Sequence, residues 1–209
     1  MTTLAAAASL AISGVVWAAG IAKSGYLERT ETAKNTGAME MSTVKMYWEG
    51  DNFRMEEYSV QGMVVQIKNG RNIYIYNPSL KKAMKQVLPE GAQTVQQLLA
   101  GMGGPVNGGK KVGSAKVAGF TCDVYTVAAP GKKAGGSTKI YISTNPQLPI
   151  MLKRQTAQGS RSISSDTKVV KLNYNVPDSM FTLPKGTKIE TAKTGGPAAP
   201  NAQPPAGKN

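Results

Sequence analysis

Through the middle of the chain, apolar and polar residues alternate in short runs that turn residues interrupt. Residues 38–48 alternate, Glu49-Gly50-Asp51-Asn52 makes a turn, and residues 53–60 resume the alternation. A period of two marks strands with one buried face. A two-residue turn centred on Gly50-Asp51 sets Trp48 opposite Phe53, Met46 opposite Met55 and Lys45 opposite Glu56. Two apolar pairs then share one face and an opposite-charge pair lies on the other, as cross-strand pairing favours.

The same reading places strands at 63–68 and 71–76 around Asn69-Gly70, a strong hairpin signal. Further strands are expected at 82–88, 112–117, 120–128, 138–144, 150–157 and 167–174. Across Gln61-Gly62 the apolar positions of the two flanking strands fall out of phase, which predicts a bulge there. Only residues 90–102 read as a helix: Val95, Leu98, Leu99 and Met102 recur at helical spacing, and Gly103-Gly104-Pro105 makes the stop. About ten strands and one or two covering helices define a mainly β (α+β) fold. A large antiparallel sheet that curls around a core is the expected architecture.

The ends differ from the middle. Residues 4–22 carry no charge and are rich in Ala, Leu, Ile and Val. They read as a secretory signal peptide at 1–22, with Gly20-Ile21-Ala22 as a small-x-small cleavage site before Lys23. An uncleaved anchor is the alternative, though half the segment is Ala, Gly or Ser. Residues 194–209 contain Pro, Gly and Ala but no large apolar side chain, the composition of a disordered tail. A single domain is therefore expected over 23–193, in an exported protein of the periplasm or cell envelope.

Composition removes whole classes of chemistry. The 209 residues include no His and one Cys. Ser-His-Asp and Cys-His machinery, His-ligated zinc and an internal disulfide are thereby excluded within the chain. Glu56 and Glu57 are adjacent in a strand and point to opposite faces, so they cannot share a site. Glu49 and Asp51 flank a turn and read as solvated. Cys122 alternates with apolar neighbours and reads as a buried, inert thiol. Gly104 to Lys111 approaches a phosphate-binding loop, but Lys111 replaces the final Ser or Thr and a strand follows in place of a helix. No catalytic centre, metal site or cofactor is expected.

The net charge is +13, and it is uneven: residues 1–60 are net −2 and residues 61–209 net +15. Lysines cluster at Lys81-Lys82-Lys85, Lys110-Lys111, Lys132-Lys133 and Lys153-Arg154. Solvated loop ends explain them; a basic rim of Lys81, Lys82, Lys85, Lys153 and Arg154 facing anionic lipid or an acidic partner is the functional reading. Nucleic acid is disfavoured, because aromatics make up only 6% of the chain and export would separate the two. Nine methionines besides Met1 suit an adaptable apolar surface as well as ordinary core filling.

Four stretches in a fixed order carry a family resemblance. They are Lys45-Met46-Tyr47-Trp48-Glu49-Gly50-Asp51-Asn52-Phe53-Arg54-Met55-Glu56, Gly70-Arg71-Asn72-Ile73-Tyr74-Ile75-Tyr76-Asn77-Pro78, Ala118 to Tyr125 with Gln147-Leu148-Pro149-Ile150, and Val176 to Gly186. Together they resemble the periplasmic lipoprotein-carrier superfamily (LolA, LolB and relatives) and related exported bacterial proteins. The resemblance implies an unclosed antiparallel barrel whose concave apolar face, covered by helices, holds acyl chains. The N-terminal lid helix of the carriers has no counterpart, since residues 26–36 read as extended and polar.

These readings converge on a non-enzymatic, monomeric envelope protein that binds a lipid, acyl chain or lipoprotein in an apolar groove. Val44, Met46, Trp48, Phe53 and Met55 are the candidate lining, extended by Ile73 and Ile75. A sensor or scaffold docking a protein through the same sheet is the rival. A hydrolase working through carboxylates alone is a more distant third.

Overall fold

The computed structural model describes residues 20–35, 38–92, 94–102, 106, 108–128 and 136–191. Most of the apolar leader (1–19), Lys132-Lys133, the Gly103-Gly104-Pro105 stop and the 194–209 tail lie outside the described residues, as does much of the Gly104–Lys111 loop.

Twelve strands form one sheet. In chain order they are β1 (Ser24–Asn35), β2 (Ala38–Glu49), β3 (Asn52–Ser59), β4 (Gly62–Asn69), β5 (Asn72–Asn77) and β6 (Lys82–Val87). After the helix α1 (Val95–Gly101) come β7 (Lys110–Val117), β8 (Phe120–Ala128), β9 (Ser137–Ser143), β10 (Met151–Gln158), β11 (Arg161–Leu172) and β12 (Lys188–Thr191). The spatial order is β12-β6-β5-β4-β3-β2-β1-β11-β10-β9-β8-β7. Every pairing is antiparallel except β12 with β6, and the two edges do not meet. This is the curled antiparallel sheet expected from the alternation, in the unclosed half-barrel form that the resemblance implies. Residues 26–35, read as extended, lie in the central strand β1, and β1 and β12 raise the strand count among the described residues to twelve.

The β2–β3 hairpin has the register read from the sequence, with Trp48↔Phe53, Met46↔Met55 and Lys45↔Glu56. Gly50 takes φ +56, a left-handed conformation that glycine adopts without steric cost. α1 is shorter than the apolar spacing suggests. It begins at Val95 because Thr94 and Gln97 form a capping box: Gln97 N–H donates to Thr94 Oγ1 (3.2 Å) and Thr94 N–H to Gln97 Oε1 (2.8 Å). Among the described residues no helix is long and apolar enough to cross a membrane.

The expected bulge at Gln61-Gly62 is absent. β3 and β4 pair without a slip from Phe53↔Lys68 to Ser59↔Gly62. The out-of-phase pattern has another cause: the sheet exchanges its buried side. One face, here called the front, carries Leu27, Val44, Met46, Trp48, Phe53 and Met55. On β4 and β5 the deeply buried residues are Val65, Ile67 and Tyr76, which point to the back.

Two cores result. The front core unites Leu27, Val44, Met46, Trp48 and Phe53 with Val95 and Leu99 of α1, with Val117 and Cys122 from the far edge, and with Leu148, Ile150 and Leu152. β3 and the edge strand β7, seven places apart in the sheet order, share this cluster, so the sheet curls around it. The back core joins Val65, Ile67, Tyr76 and Ala83 to Val176 and Phe181 of the closing segment, which makes one 3-10 turn at Asp178–Phe181.

Candidate functional site

Trp48 anchors the front core and is fully buried. Its ring lies over Gly25, its cross-strand partner on β1. A Cβ at Gly25 would stand 2.2 Å from ring atom Cζ2, so only glycine admits this approach. The indole N–H donates to the Ala22 carbonyl at 2.9 Å, which satisfies the one polar atom of the ring. Ala22 N–H in turn donates to Gln147 O at 2.9 Å. Ile21 and Ala22 are 7% and 4% exposed, and Ile21 belongs to the front core. Two residues on the leader side of the expected cleavage site are therefore part of the folded domain.

The structure brings four of the expected lining residues together. Val44, Met46, Trp48 and Phe53 are buried side by side, and Met55 packs against them half-buried. Among the described residues, other side chains occupy the space over them. Val95 and Leu99 of α1 and the Leu148, Ile150 and Leu152 side chains fill the concave side, each with no accessible surface. Alternation reports which face is apolar, but it cannot report what covers that face.

Ile73 and Ile75 share the front face through the pairs Lys68↔Ile73 and Gln66↔Ile75, but they lie beyond the cover. Ile75 is 47% exposed, its cross-strand partner Met84 is 50% exposed, and Val64 on β4 is 45% exposed. Lys68 and Gln66 of β4 thus separate two apolar parts of the front face, one covered and one largely open.

The expected basic rim is not one feature. Lys82 and Lys85 lie on β6, Lys153 and Arg154 on β10, and six strands separate β6 from β10. Lys82 pairs with Glu190 (3.3 Å) and Lys153 with Asp166 (3.6 Å). Lys85 sits over the Tyr74 ring and Lys153 over the Tyr141 ring. Lys81 occupies the β5–β6 turn with φ +50. Adjacent residues of a strand face opposite ways, so Lys153 and Arg154 cannot serve one surface.

The hairpin carboxylates, expected to be solvated, organise the covers. Asp51 Oδ1 accepts the Val95 N–H (3.0 Å) at the start of α1, and its Oδ2 pairs with the largely buried Lys68 ammonium (2.5 Å). Gln96 Nε2 donates to Gly50 O (2.6 Å) beside it. Glu49 Oε2 accepts the Val176 N–H (3.3 Å) of the closing segment. On the back face Arg54 bridges Glu56 (2.6 Å) and donates to Met180 O (3.1 Å), while Tyr58 OH donates to Glu56 (2.7 Å). Burial, and then the Glu56 hydrogen bond, push the Tyr58 hydroxyl up to about 12.

Sequence reasoning missed Arg29. It stands on the front face of β1, 7% exposed, with Nη2 donating to Met151 O at 2.8 Å. Burial lowers its pKa from the usual arginine value, and the charge of Glu31 opposes that shift. Its one sequence signal was its place in β1, the same parity as Leu27 (residues 26–36 had read as polar throughout). Cys122 is buried as expected, and burial pushes its thiol pKa up, which keeps it inert. No group of three metal-ligating side chains occurs among the described residues. A surface notch of about 110 Å³ between Asp51, Lys68, Arg71 and Glu90 touches none of the front-core residues.

No family model matches the chain, and no match is found among curated protein sequences. Among solved structures, an uncharacterized conserved protein from Thermus thermophilus is similar over 81% of this chain and 91% of its own, with 9% identity and a TM-score of 0.51. The MucB part of the MucA/MucB complex of Pseudomonas aeruginosa and its relatives give lower scores: that complex matches 77% of this chain and 56% of the other, with 12% identity and a TM-score of 0.45. A putative outer membrane lipoprotein-sorting protein domain from Vibrio parahaemolyticus matches 79% of this chain and 89% of its own, with 10% identity and a TM-score of 0.32. At these identities the likeness is one of fold.

Proposed function

We propose that the chain binds the acyl chain of a lipid or lipoprotein along the front face of the sheet, entering where the cover stops. One observation carries the reading. The front face is apolar at the covered Trp48–Phe53–Met55 cluster, polar at Lys68 and Gln66 on β4, and apolar again at the half-buried Ile73 and the exposed Ile75 and Met84; exposed apolar surface of this kind marks interaction sites. Part of the cover is a seven-residue helix with two fully buried side chains, Val95 and Leu99, and its displacement would open the portion of the face that Leu148, Ile150 and Leu152 do not fill. Removing hydrocarbon from water contributes about 25 cal/mol per Å² before ordering costs. No residue of this site supplies acid–base or nucleophilic chemistry, so binding is its whole function in this account.

Export fits the apolar leader, with processing upstream of Ile21 so that the Ile21 side chain and the Ala22 carbonyl stay with the domain. Native mass spectrometry of the purified full chain tests the binding reading. A co-purifying acyl species, lost when Ile75→Glu is introduced, is the expected result. Reproducible absence of lipid, and failure of added fatty acid to bind, would overturn it.

The exposed Val64, Ile75 and Met84 also favour a second reading, in which a protein segment docks on the open wing. It differs in its readout: Ile75→Glu would abolish capture of a peptide and leave fatty-acid binding unchanged.

A further inference from the structure

Arg29 lies between Leu27 and Glu31 on the front face, and its cross-strand neighbours are Val44 on β2 and Thr167 on β11. One guanidinium nitrogen holds Met151 O, but Nε–H meets no acceptor among the described residues. Thr167 Oγ1, on the residue directly opposite, is likewise buried and without a partner. The other largely buried cations are matched: Lys68 by Asp51 and Arg54 by Glu56. Among the described residues no carboxylate stands within 4.0 Å of Arg29. Glu31, two residues on, instead accepts a long hydrogen bond from Ser165 Oγ (3.4 Å). A guanidinium does not shed its proton, and burying its charge without a counter-ion is unfavourable.

The backbone around the pair is irregular in a way that re-aims side chains. On β11 an extra residue, Lys168, interrupts the pairing between Glu28↔Val169 and Arg29↔Thr167. On β10 a second irregularity falls between Met151 and Lys153, next to the carbonyl that Arg29 holds. Leu27 and Val44, apolar members of the front core, adjoin the pair.

We propose that Arg29 and Thr167 seat the oxyanion head group of the ligand, a carboxylate, with its hydrocarbon tail on the front face. Opposite residues of paired strands hold their Cβ atoms about 5 Å apart, a span that two oxygens of one head group bridge. The guanidinium Nε–H and the threonine hydroxyl then each donate to one oxygen, a charge-assisted arrangement. Glu31 beside the seat disfavours a second negative charge, so a carboxylate is preferred to a dianionic alkyl phosphate. The tail placement rests on the acyl-binding reading; the head-group seat rests on Arg29 and Thr167 alone.

The test follows the Arg29 Nε–H resonance by nitrogen-15 NMR in the full chain during titration with dodecanoate, dodecanol, dodecyl phosphate and acetate. Dodecanoate should shift that resonance saturably and bind roughly tenfold more tightly than dodecanol, the usual scale for one charge-assisted hydrogen bond. Arg29→Gln should erase the preference. Thr167→Val, close in shape, should shrink it and keeps the test alive if Arg29→Gln does not fold. Equal affinity for dodecanoate and dodecanol, or an unmoved Arg29 signal at saturation, would overturn the seat. Tighter binding of dodecyl phosphate than dodecanoate would overturn the choice of carboxylate. If none of the three alkyl compounds binds, the acyl reading fails by itself, and acetate decides the seat: a shifted Arg29 signal upholds it and an unmoved one overturns it.

Discussion

The front and back cores are closed by different means. The back core lies under the 176–183 segment, whose main-chain atoms are fastened by side chains at three points: Asn69 Nδ2 donates to Phe181 O, Arg54 Nη1 donates to Met180 O, and Val176 N–H donates to Glu49 Oε2. The front core lies under α1, tied at one end by Asp51 and Gln96 and at the other by Met151 N–H to Met102 O. Its floor contains a buried arginine with an unsatisfied donor, whereas the buried carboxylate of the back face, Glu56, bonds both Arg54 and Tyr58. A face whose polar atoms are all matched is suited to permanence. The face that keeps an orphan donor under a short helix is the one suited to receive a ligand.

The largest effects should come from the centre of each core. Trp48→Ala should lower unfolding free energy by about 4 kcal/mol in urea denaturation, through the cavity and the lost bond to Ala22 O. Phe181→Ala should cost about 3 kcal/mol and leave dodecanoate affinity unchanged. A change in affinity there would blur the division between the cores.

Leu99→Ala separates cover from floor. It should cost about 2–3 kcal/mol and tighten dodecanoate binding, because the cover competes less well for the face. Unchanged or weaker binding would show that α1 is a fixed wall. A chain beginning at Lys23 should be less stable than one beginning at Gly20 by about 2 kcal/mol, through loss of Ile21 from the front core and of the Trp48 acceptor. Equal melting temperatures would return Ile21 and Ala22 to the leader.

The smallest effect concerns the back-face network. The folded chain holds the Tyr58 proton up to about pH 12, while an unfolded tyrosine titrates near 10. The stability linked to Tyr58 is therefore complete below about pH 10 and is lost as pH rises toward 12. Glu56→Gln should bring the Tyr58 titration down, read from phenolate absorbance. An unmoved titration would leave burial as the whole cause.

Much of this fold was legible because strand alternation and hairpin register are local. Trp48 and Phe53 were paired correctly from Gly50-Asp51 alone, and the curled antiparallel sheet followed from counting such units. The exchange of faces between β3 and β4 was visible as a phase break but was read as a bulge. A phase break has two physical causes, a slipped register or a sheet with two cores, and only the partner atoms distinguish them. For the site, sequence identified the apolar face at Val44–Met55 but not its occupants, since Leu148 and Leu99 arrive from distant parts of the chain. Arg29 stayed hidden because a lone arginine in a polar strand gives no sign of burial. Ile21 and Ala22 stayed hidden because their composition continues the leader.

The central claim is that α1 is a movable cover and the 176–183 segment is not. Hydrogen exchange of the full chain, with and without dodecanoate, tests it most directly. Amides of Val95–Gly101 should exchange by local opening, well ahead of β4 and β5, and dodecanoate should alter them and residues 148–152 alone. If α1 exchanges only with global unfolding and dodecanoate changes nothing there, the front face is an ordinary core and the account is wrong.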